Sequence, residues 1–204
     1  MTQSIENKIV SRIYGKKRGW VFTPNHFLDL GSRNAIAQSL VRLAQSGTVR
    51  RLARGLYDYP KNHPDFGTLP PDYDCVAKAL AGRDNLKIQP SGAYAANLLG
   101  LTEQVPAKIV FLTDGPHRTV QIGKRKIVLK RTTPKSMASA GKISGLVLQA
   151  LRYLGKNHVD STVIEKLKSR FSEKDKNQLV NDIRYAPVWI GDIFRQLQGQ
   201  GQHG

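Results

Sequence analysis

Apolar residues in this chain recur at helical spacing in some stretches and alternate or cluster as strands in others. Ile5, Ile9 and Ile13 stand four apart, with Val10 beside them, and mark one face of a first helix. Trp20, Val21 and Phe22 read as a short extended piece. Thr23-Pro24 is a helix start, with Thr as N-cap and Pro at the first helical position. It predicts a short second helix carrying Phe27, Leu28 and Leu30, ended by Gly31. Ser32 caps a third helix through about Ser46, whose residues Ile36, Leu40, Leu43 and Ala44 share one face. Gly47 closes it. Residues 49–52, a turn at Ala53-Arg54-Gly55, and residues 56–59 predict a β-hairpin with Gly at the left-handed position of a three-residue loop.

The stretch 60–74, PKNHPDFGTLPPDYD, breaks this periodicity and reads as a linker. A helix is predicted at about 73–81, and a second, rich in small residues, within SGAYAANLLGL at 91–101. Lys108–Thr113 reads as a strand, and Arg118–Ile122, Gly123 and 126–131 as a second hairpin. Ile143, Leu146, Val147, Ala150, Leu151 and Leu154 give the strongest helix signal in the chain. Asp160-Ser161 and Ser172 start two more helices, Ser172 forming a capping box with Asp175. Pro187 opens the last helix, with Trp189, Ile190, Ile193, Phe194 and Leu197 on its apolar side. No internal repeat is visible.

Three helices followed by a hairpin is the order of a winged helix-turn-helix. The expected class is therefore α+β. Residues 1–62 form a winged helix-turn-helix, 63–74 a linker, and 75–198 a mixed α/β second domain with a helical C-terminal region. Residues 199–204 form a frayed tail.

Composition changes this picture in one respect. The chain has 204 residues and ordinary hydrophobic content, but its net charge is +17, from 32 Lys and Arg against 15 Asp and Glu. That excess points to a polyanionic partner, nucleic acid before membrane. The single cysteine, Cys75, rules out an intramolecular disulfide framework and fits a reducing compartment. No signal-peptide run or membrane-length apolar run is visible, so a cytoplasmic protein without membrane partner is expected. Residues 1–60 hold ten basic residues and three acids (Glu6, Asp29 and Asp58), and residues 115–142 hold eight basic residues and no acid.

The first of these segments carries base-reading chemistry. Asn34, Gln38, Arg42 and Gln45 line the helix face opposite Ile36 and Leu40. Asn and Gln match the edge of adenine, and Arg matches guanine O6 and N7. Ser32 and Arg33 sit at the helix start, where backbone N–H groups favour a phosphate. Val41, on the same polar face, is placed either to touch a thymine methyl or to pack on another part of the protein. Arg50, Arg51 and Arg54 on the hairpin, with Lys16, Lys17 and Arg18 after the first helix, supply phosphate or minor-groove contacts. Alternation puts Arg51 on the face opposite Arg50 and Arg54, and the sequence does not choose between the faces.

Two quoted stretches also resemble a known family. GSRNAIAQSLVRLAQSGTVRRLARGLYDYP, residues 31–60, resembles the N-terminal winged-helix module of the AbiEi-type antitoxins of type IV, abortive-infection toxin–antitoxin systems. SGAYAANLLGLTEQVPAKIVFLTDGP, residues 91–116, is similar, more loosely, to the start of that family's second domain. The resemblance implies a transcriptional autorepressor that binds promoter repeats in double-stranded DNA. It also implies a second domain that neutralises a nucleotidyltransferase-class toxin. By motif position it assigns Ser32, Arg33, Asn34, Gln38 and Arg42 to the recognition helix, and Arg50, Arg51 and Arg54 to the wing.

Arg118, Lys124, Arg125, Lys126, Lys130 and Arg131 form a second basic cluster. It reads either as a further phosphate contact or as the lysine-rich edge of a sheet protected against aggregation. Catalytic signals are poor. The five histidines lack metal-ligand spacing, so no cofactor or metal is expected, and Cys75 beside Val76 and Leu80 reads as a buried structural thiol. Asp72 and Asp74 have the spacing of paired metal-binding carboxylates, but no Gly-Ser phosphate motif precedes them, and turn formation is the simpler reading. Gly199, Gly201 and Gly204 spell GxGxxG without the preceding strand a dinucleotide site requires. The expectation is a non-enzyme. RNA binding through the same basic surfaces, or a nucleotide-processing enzyme using Asp72 and Asp74, are the alternatives.

Overall fold

The computed structural model describes residues 4–82 and 86–199. Contacts divide the chain into two compact units, one of residues 1–86 with 120–123, the other of 87–119 and 124–204. The α+β class holds, and the described residues form eight α-helices and three separate sheets.

In the first unit, α1 (Ile5–Gly15) begins at Ser4, whose hydroxyl accepts the Asn7 N–H at 3.2 Å. β1 (Val21–Phe22) follows. The helix expected after Thr23-Pro24 is a single 3-10 turn, Pro24–Phe27. Its shortness has a long-range cause: the Arg12 guanidinium takes the His26 carbonyl at 2.8 Å and clamps Asp29 through two bonds of 2.8 and 2.6 Å. α2 (Arg33–Gln45) starts at Ser32, whose Oγ accepts the Ala35 N–H at 3.3 Å, and Gly47, at φ +75°, ends it.

β2 (Arg50–Ala53) and β3 (Leu56–Asp58) form the expected hairpin, and β1 pairs antiparallel to the other side of β3, giving the order β1-β3-β2. A bulge lies between Arg51 and Ala53. Ile9, Ile13, Phe22, Phe27, Ile36, Leu40, Leu43, Val49 and Tyr57 make one core. Each such side chain, fully buried, contributes about 1.5–3 kcal/mol relative to exposure.

The expected linker is not structureless. β4 (Asn62–His63) and β5 (Gly67–Thr68) form a small hairpin, and α3 (Tyr73–Ala81) begins at Asp72.

The chain after residue 86 forms a four-stranded sheet and five helices. Its strands are β6 (Ile88–Ser91), β7 (Lys108–Thr113), β8 (Arg118–Ile122) and β9 (Arg125–Arg131), in the order β6-β7-β9-β8. β6 pairs antiparallel and β9 parallel to β7. β6 contains Pro90, which an edge strand tolerates because one side of its backbone needs no ladder partner. α4 (Ala93–Leu98) is shorter than expected, and its buried Ala95 and Ala96 join a core with α5 (Ile143–Leu154), α6 (Ser161–Arg170), α7 (Glu173–Asn181) and α8 (Val188–Gln198).

The last four helices start where expected. Asp160 accepts the Val163 N–H at 2.9 Å, and Ser172 and Asp175 form the capping box. No helix among the described residues is long and apolar enough to cross a membrane. Gly201 and Gly204 of the GxGxxG string, and most of the expected tail, lie outside the described residues.

Candidate nucleic-acid interface

The outer face of α2 is built by helix period. Ile36, Leu40 and Leu43 point into the core, so Arg33, Asn34, Gln38, Val41, Arg42 and Gln45 are carried outward, and all six are exposed. Val41, at 40% exposure, lies open among the polar residues. An open groove of about 350 Å³ runs beside this face, lined by Ser4, Ile5 and Glu6 of the α1 end and by Ala35, Gln38, Ser39 and Arg42 of α2. Gln38 stands on the wall of this groove.

The arginines divide into two groups. Arg50 is turned into the fold: it holds Asp58 through two bonds of 3.0 and 2.6 Å and donates to the Leu69 carbonyl at 3.0 Å. Asp58 is 1% exposed, and a carboxylate so buried requires a paired cation. Arg50, expected on the wing as a DNA contact, is therefore structural. Arg42 donates from Nε to Glu6 at 2.8 Å and to the Ser39 hydroxyl at 3.3 Å, which fixes its side chain along the groove rather than extending it. Arg18 stacks 4.6 Å over the Tyr59 ring and donates to the Pro60 carbonyl at 2.9 Å.

With Arg12 on Asp29, the three acids of the first sixty residues are each taken by one arginine. Lys8, Lys16, Lys17, Arg18, Arg33, Arg51 and Arg54 have no carboxylate partner among the described residues. Arg51 and Arg54 are exposed, Arg51 on the strand face opposite Arg50, and Arg54 beside Gly55 (φ +69°) in the turn. Lys16 and Lys17 follow the end of α1, with Lys17 at φ +66°, a left-handed backbone rare outside glycine.

Arg118, Lys124, Arg125 and Lys126 lie on the β8–β9 hairpin of the four-stranded sheet. Lys108 and Lys126 are direct register partners across the parallel β7–β9 pair, and both are exposed. Like charges placed opposite one another are unfavourable without an anion nearby.

The other candidate residues have structural duties. The Asp72 carboxylate caps α3, accepting the Asp74 and Cys75 N–H groups at 2.8 and 3.1 Å. Cys75 is half-buried rather than buried, and that burial, followed by the Asp72 charge, pushes its thiol pKa up, away from the reactive thiolate. No group of three or more His, Cys, Asp or Glu among the described residues is arranged to hold a metal ion.

This is an α+β protein whose first unit presents an exposed polar helix face and a set of cations without carboxylate partners. Residues 8–179 match the DUF6088 family, a family of unknown function, and the chain belongs to it. No curated protein matches the chain. Among solved structures, the RV2827C protein from Mycobacterium tuberculosis is similar over 98% of this chain and 78% of its own, at 14% identity and a TM-score of 0.45.

Proposed function

We propose that the protein is a sequence-specific, double-stranded-DNA-binding transcriptional repressor whose first unit is a winged helix-turn-helix. What supports the fold reading is the order of α1, β1, the 24–27 turn, α2 and the β2–β3 hairpin, with β1 added to the far side of β3. α2 then enters the major groove, and the β2–β3 hairpin is the wing. Arg33, Asn34 and Gln38 read base edges, and Ser32 orients the helix start. Arg51 and Arg54, with Lys16 and Lys17, hold phosphates. Arg42 and Arg50 position the helix and the wing from within.

The observation that carries this is the pairing pattern: each acid of the first sixty residues is paired with one arginine, and seven cations of that stretch are left without a carboxylate partner. The resemblance of residues 31–60 to AbiEi-type modules makes an autoregulating antitoxin the specific form of the proposal, with a nucleotidyltransferase-class toxin as partner of the second unit.

The test is fluorescence anisotropy on DNA from upstream of the protein's own gene, against a scrambled duplex. Changing Asn34 and Gln38 to Ala should erase about 1–3 kcal/mol of preference for the native sequence while leaving affinity for the scrambled duplex in place. Equal preference in the variant and the parent would sink the assignment. Displacement of the DNA by structured RNA at lower concentration than by competitor duplex would replace it with RNA binding.

A further inference from the structure

The second unit contains a small polar cavity that the DNA-binding reading does not use. Its volume is about 70 Å³, and it is lined by Lys135, Ser136, Ser139, Leu148, Arg152 and Tyr185. Three separate pieces of chain meet there. Leu148 and Arg152 stand four apart on α5 and so share a face. Lys135 and Ser136 belong to a 3-10 turn, Lys135–Met137, and Ser139 follows it. Tyr185 ends a second such turn, Ile183–Tyr185, after α7.

The walls are held firmly. Gly145 of α5 faces the Ser139 carbonyl so closely that any Cβ there would collide with it, and the Lys142 N–H donates to that same carbonyl at 3.2 Å. Gln89 accepts the Gly141 N–H at 3.1 Å. On the other side Asp182, 3% exposed, accepts from Ser144 at 2.5 Å, Gln178 at 2.8 Å and Lys142 at 3.1 Å. That hub fixes the turn bearing Tyr185 to the start of α5. The neighbouring carboxylate is thus already saturated and is not among the cavity's lining residues.

The lining is chemically one-sided. Lys135 and Arg152 have no acidic partner among the described residues, and no Asp or Glu lines the cavity. Ser139 is 5% exposed, and its hydroxyl, which has no hydrogen bond to any described residue, keeps its access at the cavity wall. Ser136 shares one bond with Thr133 at 3.1 Å. Two hydroxyls and two cations without an acidic partner are the donor set that an oxyanion takes. A single water needs only about 10–15 Å³, so the space takes several waters or one tetrahedral oxyanion, and not a base with its sugar.

We infer that this cavity is a binding site for one phosphoryl oxyanion, held by Lys135 and Arg152 at the rim and by the Ser139 and Ser136 hydroxyls within. The site is independent of the DNA reading. Free phosphate and a terminal phosphomonoester present the same chemistry to it.

The test is a titration of the ¹⁵N-labelled full chain with inorganic phosphate at constant ionic strength, with chloride as control and a 5′-nucleoside monophosphate as a second ligand. The Ser136 and Ser139 amide signals should move saturably with phosphate and not with chloride. Replacing Lys135 and Arg152 by Gln, both on the exposed rim, should weaken binding about tenfold or more. The Arg51→Ala/Arg54→Ala variant should bind phosphate like the parent, and the Lys135→Gln/Arg152→Gln variant should bind DNA like the parent, so the two readings fail separately. Saturation by the monophosphate as well assigns the site to terminal phosphomonoesters; saturation by phosphate alone assigns it to the free ion. No saturable movement at Ser136 and Ser139, or equal phosphate affinity in the Gln variant, would overturn the inference.

Discussion

Between residues 172 and 198 four acids meet four bases, whereas over the first sixty residues three acids meet ten. In the helical stretch each acid closes on a partner, three of the four within three residues. Lys176 reaches Glu173 and Arg195 reaches Asp192, each at 2.7 Å and three residues apart, Asp175 caps its own helix, and Asp182 takes Lys142. In the first sixty residues each acid is also closed, by Arg12, Arg42 or Arg50, and the cations then run over. Engagement of charges does not separate the two regions, because arginines are paired in both. What differs is the remainder after pairing: the first region leaves seven cations without a carboxylate partner, in the unit that carries the exposed polar face of α2.

Neighbouring residues on one strand break the comparison most sharply. Arg50→Ala strands the buried Asp58 carboxylate and should cost about 3 kcal/mol of stability. Arg51→Ala, at an exposed and unpaired position, should cost less than about 0.5 kcal/mol. Urea unfolding of the two variants measures both, and comparable losses would mean that Arg51 has an internal role.

A smaller effect tests the second unit. Burial pushes the Asp182 carboxyl up, but hydrogen bonds from Ser144, Lys142 and Gln178 and the Lys142 charge outweigh it and leave the pKa below its ordinary value. A carboxylate depressed in the folded state adds stability above its unfolded pKa of about 3.9, and that stability is lost as pH falls through the folded value. Asp175, lowered by Ser172, titrates in the same sense. Asp182→Asn should cost about 1–2 kcal/mol at neutral pH. It should also flatten the loss of stability below about pH 4. Thermal melts across pH 2–7 give the slope, and parallel curves for parent and variant would remove Asp182 from the hub.

Much of the architecture was legible because its signals are local. Ser32, Asp160 and Ser172 cap the helices they precede, and the i, i+4 isoleucines of α1 and the apolar run of α5 are core residues. The misses come from contacts between residues far apart in sequence. The turn at 24–27 stops short because Arg12, fourteen residues earlier than His26, occupies a carbonyl there. β6 was hidden by Pro90, which only its edge position excuses. Arg42 is held by Glu6 from thirty-six residues away. Arg50 is the exception. Asp58 lies directly across the hairpin from it, only eight residues away in sequence. The cavity of the second unit joins residues 135–139, 148–152 and 185, and no spacing in the sequence announces it.

The central claim is that the cations left unpaired in the first unit neutralise DNA phosphates. The dependence of DNA affinity on salt tests it most directly. For the Arg51→Ala/Arg54→Ala variant the slope of log K against log salt should be shallower than the parent's by about 2, close to 0.9 for each phosphate that is no longer neutralised. A slope unchanged from the parent, with both proteins folded, would contradict the account.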